Sequence, residues 1–296
     1  MTDPKSWTIS ELLRVTTDYL REKGIESPRL SAEILLAHQL NLNRVKLYLN
    51  FDQPLQDEEV AGFRSFVKRR LKREPLQYIT GIQEFWSLEF IVGPHVLIPR
   101  PESELLIEEV LSLSRHGRLP ESEDLKILDL GTGCGALAIS LAEELEGASV
   151  WASDLSEEAL RFARLNARKH NLQNRIEFRQ GDLWSPFAGE GLSFDVIVSN
   201  PPYIDSRGLD SLPPEVKDYE PRTALDGGDG GIFCIEKIIR EGSNFLKSGG
   251  WLLVEMDPDQ TSWALKLIEE SNQYVEAGRI KDYSHRYRVV TAKKRF

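Results

Sequence analysis

The chain has 296 residues, 41% of them apolar and 28% charged, and carries a formal net charge of −10. Its length points to two unequal domains rather than one, and its composition suits a soluble protein with a sizeable core. With this acidic balance, generic attraction to phosphate backbones is not the expected driving force of binding; a local basic patch is compatible with it, but no direct nucleic-acid partner is expected. The amino terminus shows no basic-then-apolar leader, and no run approaches the roughly 18 apolar residues of a membrane span. A cytoplasmic protein with no membrane partner is therefore expected. The two cysteines, Cys134 and Cys234, have neither disulfide nor metal spacing, and the five histidines are scattered singly; no metal is expected.

The first 80 residues read as a helical domain. Thr8 and Glu11 fit a capping box, and Ile9, Leu12, Leu13, Thr16, Tyr19 and Leu20 recur at helical spacing until Gly24 closes the segment. Ser27-Pro28 opens a second helix, residues 44–49 form a short third, and residues 57–73 a fourth that Pro75 stops. Lys68, Arg69, Arg70, Lys72 and Arg73 on the last helix read as a solvated face or a site for an acidic partner. Residues 81–100 read as a hairpin linking two domains, with residues 84–92 pairing 96–98 across Gly93-Pro94.

The remaining residues, 101–296, form the expected second domain. Pro101-Glu102-Ser103-Glu104 enters an apolar-periodic helix, and residues 115–124 read as a linker. Strands predicted at 125–130, 149–154, 175–179, 194–199 and 251–256 alternate with helices at 136–146, 157–172, 232–246 and 260–271. That alternation is the signature of an α/β fold with a doubly wound parallel sheet. Residues 274–282 and 286–293 add an antiparallel edge hairpin at the carboxyl end.

Two stretches carry the chemistry. Asn200-Pro201-Pro202-Tyr203 follows the apolar run 193–199, so it sits at the carboxyl end of a buried strand, where open α/β sheets bind ligands. Proline fixes φ and restricts the residue before it. The result is a stiff turn in which the Asn200 side-chain oxygen and the Pro201 carbonyl accept hydrogen bonds and Tyr203 offers a flat face, a set that suits a planar NH2 group. The bland alternative is a turn with a core tyrosine.

The second stretch, Asp129-Leu130-Gly131-Thr132-Gly133-Cys134-Gly135, lies between a strand and a helix, where glycines let a ligand approach the backbone. Gly131, Gly133 and Ala136 also satisfy the looser dinucleotide fingerprint, and Asp154 fits a ribose-binding acid or, equally, a helix cap. Three features tilt the reading from NAD to S-adenosylmethionine: Asp129 at the head of the loop, Asp182-Leu183-Trp184 after the third strand, and the Asn-Pro-Pro-Tyr turn after the fourth. Trp184 reads either as a platform for adenine or as a core aromatic. The glycine-rich Asp226–Gly231 stretch closes a long loop after the turn, expected to act as a lid.

Further motifs accompany these: Ser27-Pro28-Arg29-Leu30 with Ala32 and Glu33, Glu84-Phe85, Val96 through Glu102, and Glu220-Pro221-Arg222-Thr223 through Gly228. Jointly with the glycine loop and Asn200 to Tyr203, they resemble the bacterial glutamine methyltransferases that modify peptide chain release factors, class I S-adenosylmethionine-dependent enzymes with a helical amino-terminal domain. Related enzymes acting on a large-subunit ribosomal protein share Asn-Pro-Pro-Tyr but depart after Pro-Arg, so Pro101-Glu102-Ser103-Glu104 favours the release-factor family. Two positions depart from the family: Asp257 stands where glycine is usual, and Ser284-His285-Arg286-Tyr287-Arg288 replaces a turn with glycine and aspartate.

The resemblance implies a cofactor pocket of Gly131, Thr132, Gly133, Cys134, Gly135, Asp154, Trp184 and Asn200. It implies a substrate pocket of Asn200, Pro201, Pro202 and Tyr203, with Asn200, Pro201 and Tyr203 catalytic. The substrate it implies is the Gly-Gly-Gln glutamine of class 1 peptide chain release factors, recognised with help from the helical domain by a monomeric enzyme. Rival readings are glutamine methylation of a ribosomal protein, methylation of the exocyclic amino group of adenine, which requires base flipping, and a non-catalytic cofactor-binding adaptor.

Overall fold

The computed structural model describes residues 7–121 and 125–296. Two compact units divide the chain, one of Met1–Ile82 with Pro213–Tyr219 and one of Gln83–Leu212 with Glu220–Phe296. The first holds helices α1 (Ile9–Glu22), α2 (Pro28–Gln39), α3 (Arg44–Leu49), α4 (Asp57–Leu71) and α5 (Leu76–Thr80) around a core that includes Leu13, Leu20, Leu35, Leu36 and Phe63. The capping box at α1 forms as the sequence predicts, with Thr8 and Glu11 exchanging side-chain and backbone bonds.

Glu33 on α2 explains why that helix carries a buried acid. Its side chain is 1% exposed and accepts hydrogen bonds from Arg29, from Arg44 at 2.7 Å and from Tyr48. Burial alone would raise its pKa, but the bonds from Tyr48, Arg44 and Arg29 outweigh it and hold the carboxyl below its ordinary value. One carboxylate thereby ties the six-residue α3, too short to be stable alone, to α2.

The second unit opens with a hairpin of β1 (Ile82–Phe85) and β2 (Leu88–Ile91). Its turn is Trp86-Ser87, not Gly93-Pro94, and residues 96–98 form no strand. Trp86 and Ser87 take φ of 51° and 57°, the left-handed pair that a two-residue hairpin demands. Neither residue type signals such a turn; the Glu104 carboxylate holds it by accepting the Trp86 N–H at 2.8 Å.

The chain continues through α6 (Glu104–Arg115), β3 (Lys126–Leu130), α7 (Ala136–Glu144), β4 (Ser149–Asp154), α8 (Glu157–Lys169), β5 (Ile176–Gln180), β6 (Phe194–Ser199), α9 (Pro214–Lys217), α10 (Phe233–Gly242), β7 (Leu246–Glu255), α11 (Thr261–Ser271), β8 (Tyr274–Lys281) and β9 (Tyr287–Lys294). Part of the linker predicted at 115–124 lies outside the described residues. The seven strands run in the order β5-β4-β3-β6-β7-β9-β8. β3 to β7 are parallel, and β9 and β8 complete the antiparallel edge predicted from the tail. β6 is buried along its whole length, as a strand covered on both faces must be. The hairpin is fastened to this unit by Asn166 on α8, which bonds the Ile91 N–H and C=O and the Cys134 carbonyl, at 2.7, 3.0 and 2.9 Å. Among the described residues no helix is long and apolar enough to cross a membrane.

The loop after β6 is anchored rather than loose at its glycine end. Ile204 pairs with Asp226, and the Gly227 N–H donates to the Ile204 carbonyl at 2.8 Å. A Cβ on Gly227 would stand 2.7 Å from the Pro202 carbonyl oxygen, and one on Gly231 2.0 Å from that of Tyr203. The Gln260 amide donates to the carbonyls of Tyr203 and Gly230 at 2.9 and 3.0 Å. These glycines therefore let one backbone press against another and hold the Asn-Pro-Pro-Tyr turn, where the sequence suggested a lid. Between the two ends, α9 belongs with the first unit: Glu215 pairs with Arg70 at 3.0 Å, and the Tyr219 hydroxyl donates to the Lys72 carbonyl at 2.6 Å.

Gly231→Ala should therefore destabilise the chain by about 2–4 kcal/mol, since it adds a backbone clash to a strained left-handed φ. Chemical denaturation followed by tryptophan fluorescence reads this directly. A wild-type unfolding midpoint would show that the turn is not held by this contact.

Candidate active site

Strand register assembles the site. Leu130 on β3 stands opposite Ser153 on β4 and Ser199 on β6, and Ser199 stands opposite Val254 on β7. The next residues therefore stand in one row: Gly131 and Asn200 just beyond β3 and β6, and Asp154 and Glu255 as the last residues of β4 and β7. β3 is the strand at which the order reverses, the switch point where open sheets form a crevice. A cavity of about 360 Å³ lies there, within the range of small-molecule sites.

Of the residues expected to hold a cofactor, Gly131, Thr132, Gly133, Cys134, Asp154 and Asn200 line this cavity. Gly131 and Gly133 have φ of +79° and +58° with open space where a Cβ would stand, so conformation rather than crowding requires glycine. Gly135 does not line the cavity. A Cβ there would lie 3.3 Å from the Ala163 Cα, so this glycine lets α7 pack closely on α8. Trp184 does not line it either: it is 4% exposed in the core and stacks on Phe245 with centroids 4.7 Å apart, so the core reading holds. Its neighbours Asp182 and Leu183 line the cavity in its place.

Asp154 grips the glycine loop, accepting the Gly133 N–H at 2.9 Å and the Ser156 N–H at 2.9 Å. The cap of α8 is Ser156, which accepts from the Ala159 N–H, so Asp154 is not that cap. Asp129 is fully buried beneath the loop. Its Oδ2 accepts from the Thr132 hydroxyl at 2.6 Å and the Ala138 N–H at 3.1 Å, while Oδ1 has no partner. Burial, with a smaller push from Asp154, raises the Asp129 carboxyl to about 7. Burial also raises Asp154, against the bonds from Ser156 and Gly133. Two carboxylates held this way gain from a cation placed beside them. Burial pushes the Cys134 thiol up to about 12, so it is inert as a nucleophile.

On the other side of the cavity stand Asn200 and Pro202. The Asn200 Nδ2 donates to the Ser103 hydroxyl at 2.8 Å. Pro201 is buried. Tyr203 does not line the cavity; its ring packs on the core and its hydroxyl donates to Glu255 Oε1 at 3.2 Å. A half-buried phenol needs such a partner, which is why the ring faces the end of β7. Burial and the neighbouring Glu255 charge both raise the Tyr203 hydroxyl.

The rim is pinned by a pair for which sequence gave no role. Arg100 donates to buried Glu220 at 2.5 Å, and Glu220 also accepts the Ile98 N–H at 3.4 Å. His95, Leu97, Pro221 and Thr223 around this pair line the cavity. The two departures are accommodated. Asp257 has φ of −63° and caps a short turn by accepting the Asp259 N–H, so no glycine is needed. In the final hairpin His285 takes the left-handed position, φ 61°, and Asp282 accepts the N–H groups of Ser284 and Arg286. Sequence reasoning also passed over Ser103 and Glu255. An acid ending the apolar run Trp251–Val254 was the available signal.

A family described as PrmC N-terminal domain matches residues 11–81, and one described as Methyltransferase domain matches residues 121–294. The release factor glutamine methyltransferase of Geobacter sulfurreducens is 44% identical over 90% of this chain and 90% of its own. That of Rhodopirellula baltica is 38% identical over 97% of each. Among solved structures, the hMettl16 catalytic domain in complex with the MAT2A 3'UTR hairpin 1 superposes with a TM-score of 0.55 at 15% identity, covering 81% of this chain and 82% of that one, a likeness of fold. The fold is that of a class I methyltransferase, with a mostly parallel seven-stranded sheet and an antiparallel edge. With relatives this similar over nearly its whole length, the chain belongs to the release factor glutamine methyltransferase family.

Proposed function

We propose that the protein transfers the methyl group of S-adenosylmethionine to the side-chain amide nitrogen of the glutamine in the Gly-Gly-Gln motif of class 1 peptide chain release factors. The observation that carries this reading is the single row of Asp154, Gly131 and Asn200 on one cavity, in a chain of this family. On the same reading the helical unit contributes substrate recognition and the enzyme is a cytoplasmic monomer, as suits a substrate from translation.

The residues present fit the cofactor. It is a cation, and the loop is flanked by two carboxylates bonded by a hydroxyl and backbone N–H groups rather than by a basic side chain, one with an unpartnered buried oxygen. Asp129 and Asp154 would hold its charged and hydroxylated parts, and Asp182, Leu183 and Leu155 its adenine. When bound, S-adenosylmethionine supplies an electrophilic methyl group on a sulfonium: as the nitrogen–carbon bond forms the carbon–sulfur bond breaks, S-adenosylhomocysteine leaves, and the methylated nitrogen gives up one proton to solvent. An amide nitrogen is a poor nucleophile because its lone pair is delocalised into the carbonyl, so orientation carries much of the barrier. Asn200 Oδ1 and the Pro201 carbonyl would accept the two N–H bonds of the substrate amide, aim its nitrogen and favour the positive charge that develops there. No side chain is required as a base in the attacking step.

Labelled cofactor, a purified release factor, a copy with the Gly-Gly-Gln glutamine replaced, and unmethylated DNA test the reading together, with mass spectrometry locating the label. One methyl on that glutamine is expected. Label on adenine, or on none of these substrates, would overturn it. Tyr203→Ala should leave cofactor affinity within about twofold while lowering kcat roughly 100-fold or more, since it removes the ring that holds the turn. Unchanged turnover would show that the ring does not hold the turn.

Cofactor binding should also depend on pH. Asp129 has its pKa raised to about 7, so its charge is present above that value and lost as pH falls through it. Affinity measured by calorimetry should weaken as pH drops from about 8 to about 6, with proton release on binding. Asp129→Asn should flatten that dependence.

A further inference from the structure

Two of the motifs that mark this chain, Val96 through Glu102 and Glu220 through Gly228, meet at one buried carboxylate. The Glu220 side chain is 1% exposed. Its Oε1 accepts from the Arg100 guanidinium at 2.5 Å, and its Oε2 accepts the Ile98 N–H at 3.4 Å. The residues just before Arg100 and just after Glu220 line the cavity: His95, Leu97 and Pro99 from one strip, Pro221, Thr223 and Ala224 from the other. One carboxylate, with a bond at each oxygen, thereby joins two strips that meet at residues 120 positions apart.

These strips differ in chemistry from the rest of the cavity. The ends of β3, β4 and β5 bring to it the glycine loop, Asp154 and Asp182, groups that suit a charged and hydroxylated ligand. The strips bring Leu97, Pro99, Pro221 and Ala224, all apolar, while Arg100 and Glu220 bond each other and do not line it. His95 and Thr223 line the cavity and are also exposed, so they stand at its mouth. The first strip is tied to Asn200 as well: the Ser103 N–H donates to the Arg100 carbonyl at 3.1 Å, and the Ser103 hydroxyl accepts the Asn200 Nδ2 at 2.8 Å. The same segment is thus fastened to Glu220 and to Asn200.

We propose that Arg100 and Glu220 are positioning residues that fix the width of this mouth, and that the mouth takes the peptide backbone preceding the acceptor glutamine and excludes side chains there. This rests on the reading that Asn200 receives the amide of that glutamine. A glutamine side chain bonded to Asn200 reaches into the cavity while its backbone stays at the mouth. Two fixed walls admit that backbone where it carries no Cβ, and meet any larger residue with a clash. A charge-assisted bond suits such a role because it sets both distance and direction, and a buried acid deprived of its cation is costly, which keeps the strips together. Pro99, Pro101 and Pro221, each with a fixed φ, stiffen the chain on either side of the pair.

The test is methyl transfer by the wild type, Glu220→Gln, Arg100→Met and Arg100→Lys to a release factor carrying Gly-Gly-Gln and to copies carrying Ala-Gly-Gln or Gly-Ala-Gln. The wild type should prefer Gly-Gly-Gln by about 10- to 100-fold in kcat/KM. Glu220→Gln and Arg100→Met should raise KM for the release factor about 10-fold and cut the preference to about threefold or less, with cofactor affinity by calorimetry within about twofold of wild type. Arg100→Lys, which keeps a cation beside Glu220, should retain part of the preference. Thr223→Phe, at an exposed position where folding is little affected, should raise KM for the release factor about 10-fold at unchanged cofactor affinity. A wild type indifferent to the added alanines, variants that keep the wild-type KM and preference per folded molecule, or a loss of cofactor affinity in their place would each overturn the proposal while leaving the function intact. A wild type that methylates none of these glutamines would instead overturn the function, and this inference with it.

Discussion

The pairing of Leu130 with Ser153 on one side and Ser199 on the other decides where everything else falls. A parallel sheet admits no slip here, because a shift of one residue would turn the buried faces of β3 and β6 to the wrong layer. Given this register, an acid, a glycine loop and an asparagine from three strands emerge side by side, although their positions span from 131 to 200 in the chain. The site is thus a property of the sheet edge, and the loops need only hold the conformations that the edge hands them.

Holding them takes contacts that differ on the two sides of the cavity. On one side the glycine loop is clasped by carboxylates, Asp129 through Thr132 and Asp154 through Gly133. On the other the proline turn is clasped by backbone, with Gly227 and Gly231 pressed against its carbonyls and Gln260 bonded to it. In both cases a group that costs stability in isolation, a buried charge or a left-handed residue, is kept because its neighbours over-determine it.

Much of this was legible in the sequence. The alternation of strands and helices, the antiparallel tail and the α1 capping box follow from periodicity and local chemistry, and the two motifs announce themselves by glycine and proline at strand ends. What escaped reading depended on partners far away in the chain. The Trp86-Ser87 turn needs Glu104 to stabilise it, Trp184 was drawn into the core by Phe245, and the glycines near 230 are explained only by the carbonyls they approach. Tyr203 turned toward Glu255 for a reason invisible without the neighbouring strand. Local signals reported conformation well and reported contact poorly.

The segment Pro213–Tyr219 belongs with the helical unit, yet the residues on either side of it belong with the catalytic one. The chain therefore passes between the units three times, and no single cut separates them. A fragment beginning after Ile82 would carry Glu215 and Tyr219 without Arg70 and Lys72, their partners in the intact chain, and would do so within the same loop that ends on the Asn-Pro-Pro-Tyr turn. Modular in its core packing, the protein is interlaced in its connectivity, so the helical unit cannot be exchanged for another like a detachable adaptor without rewriting part of the catalytic unit as well.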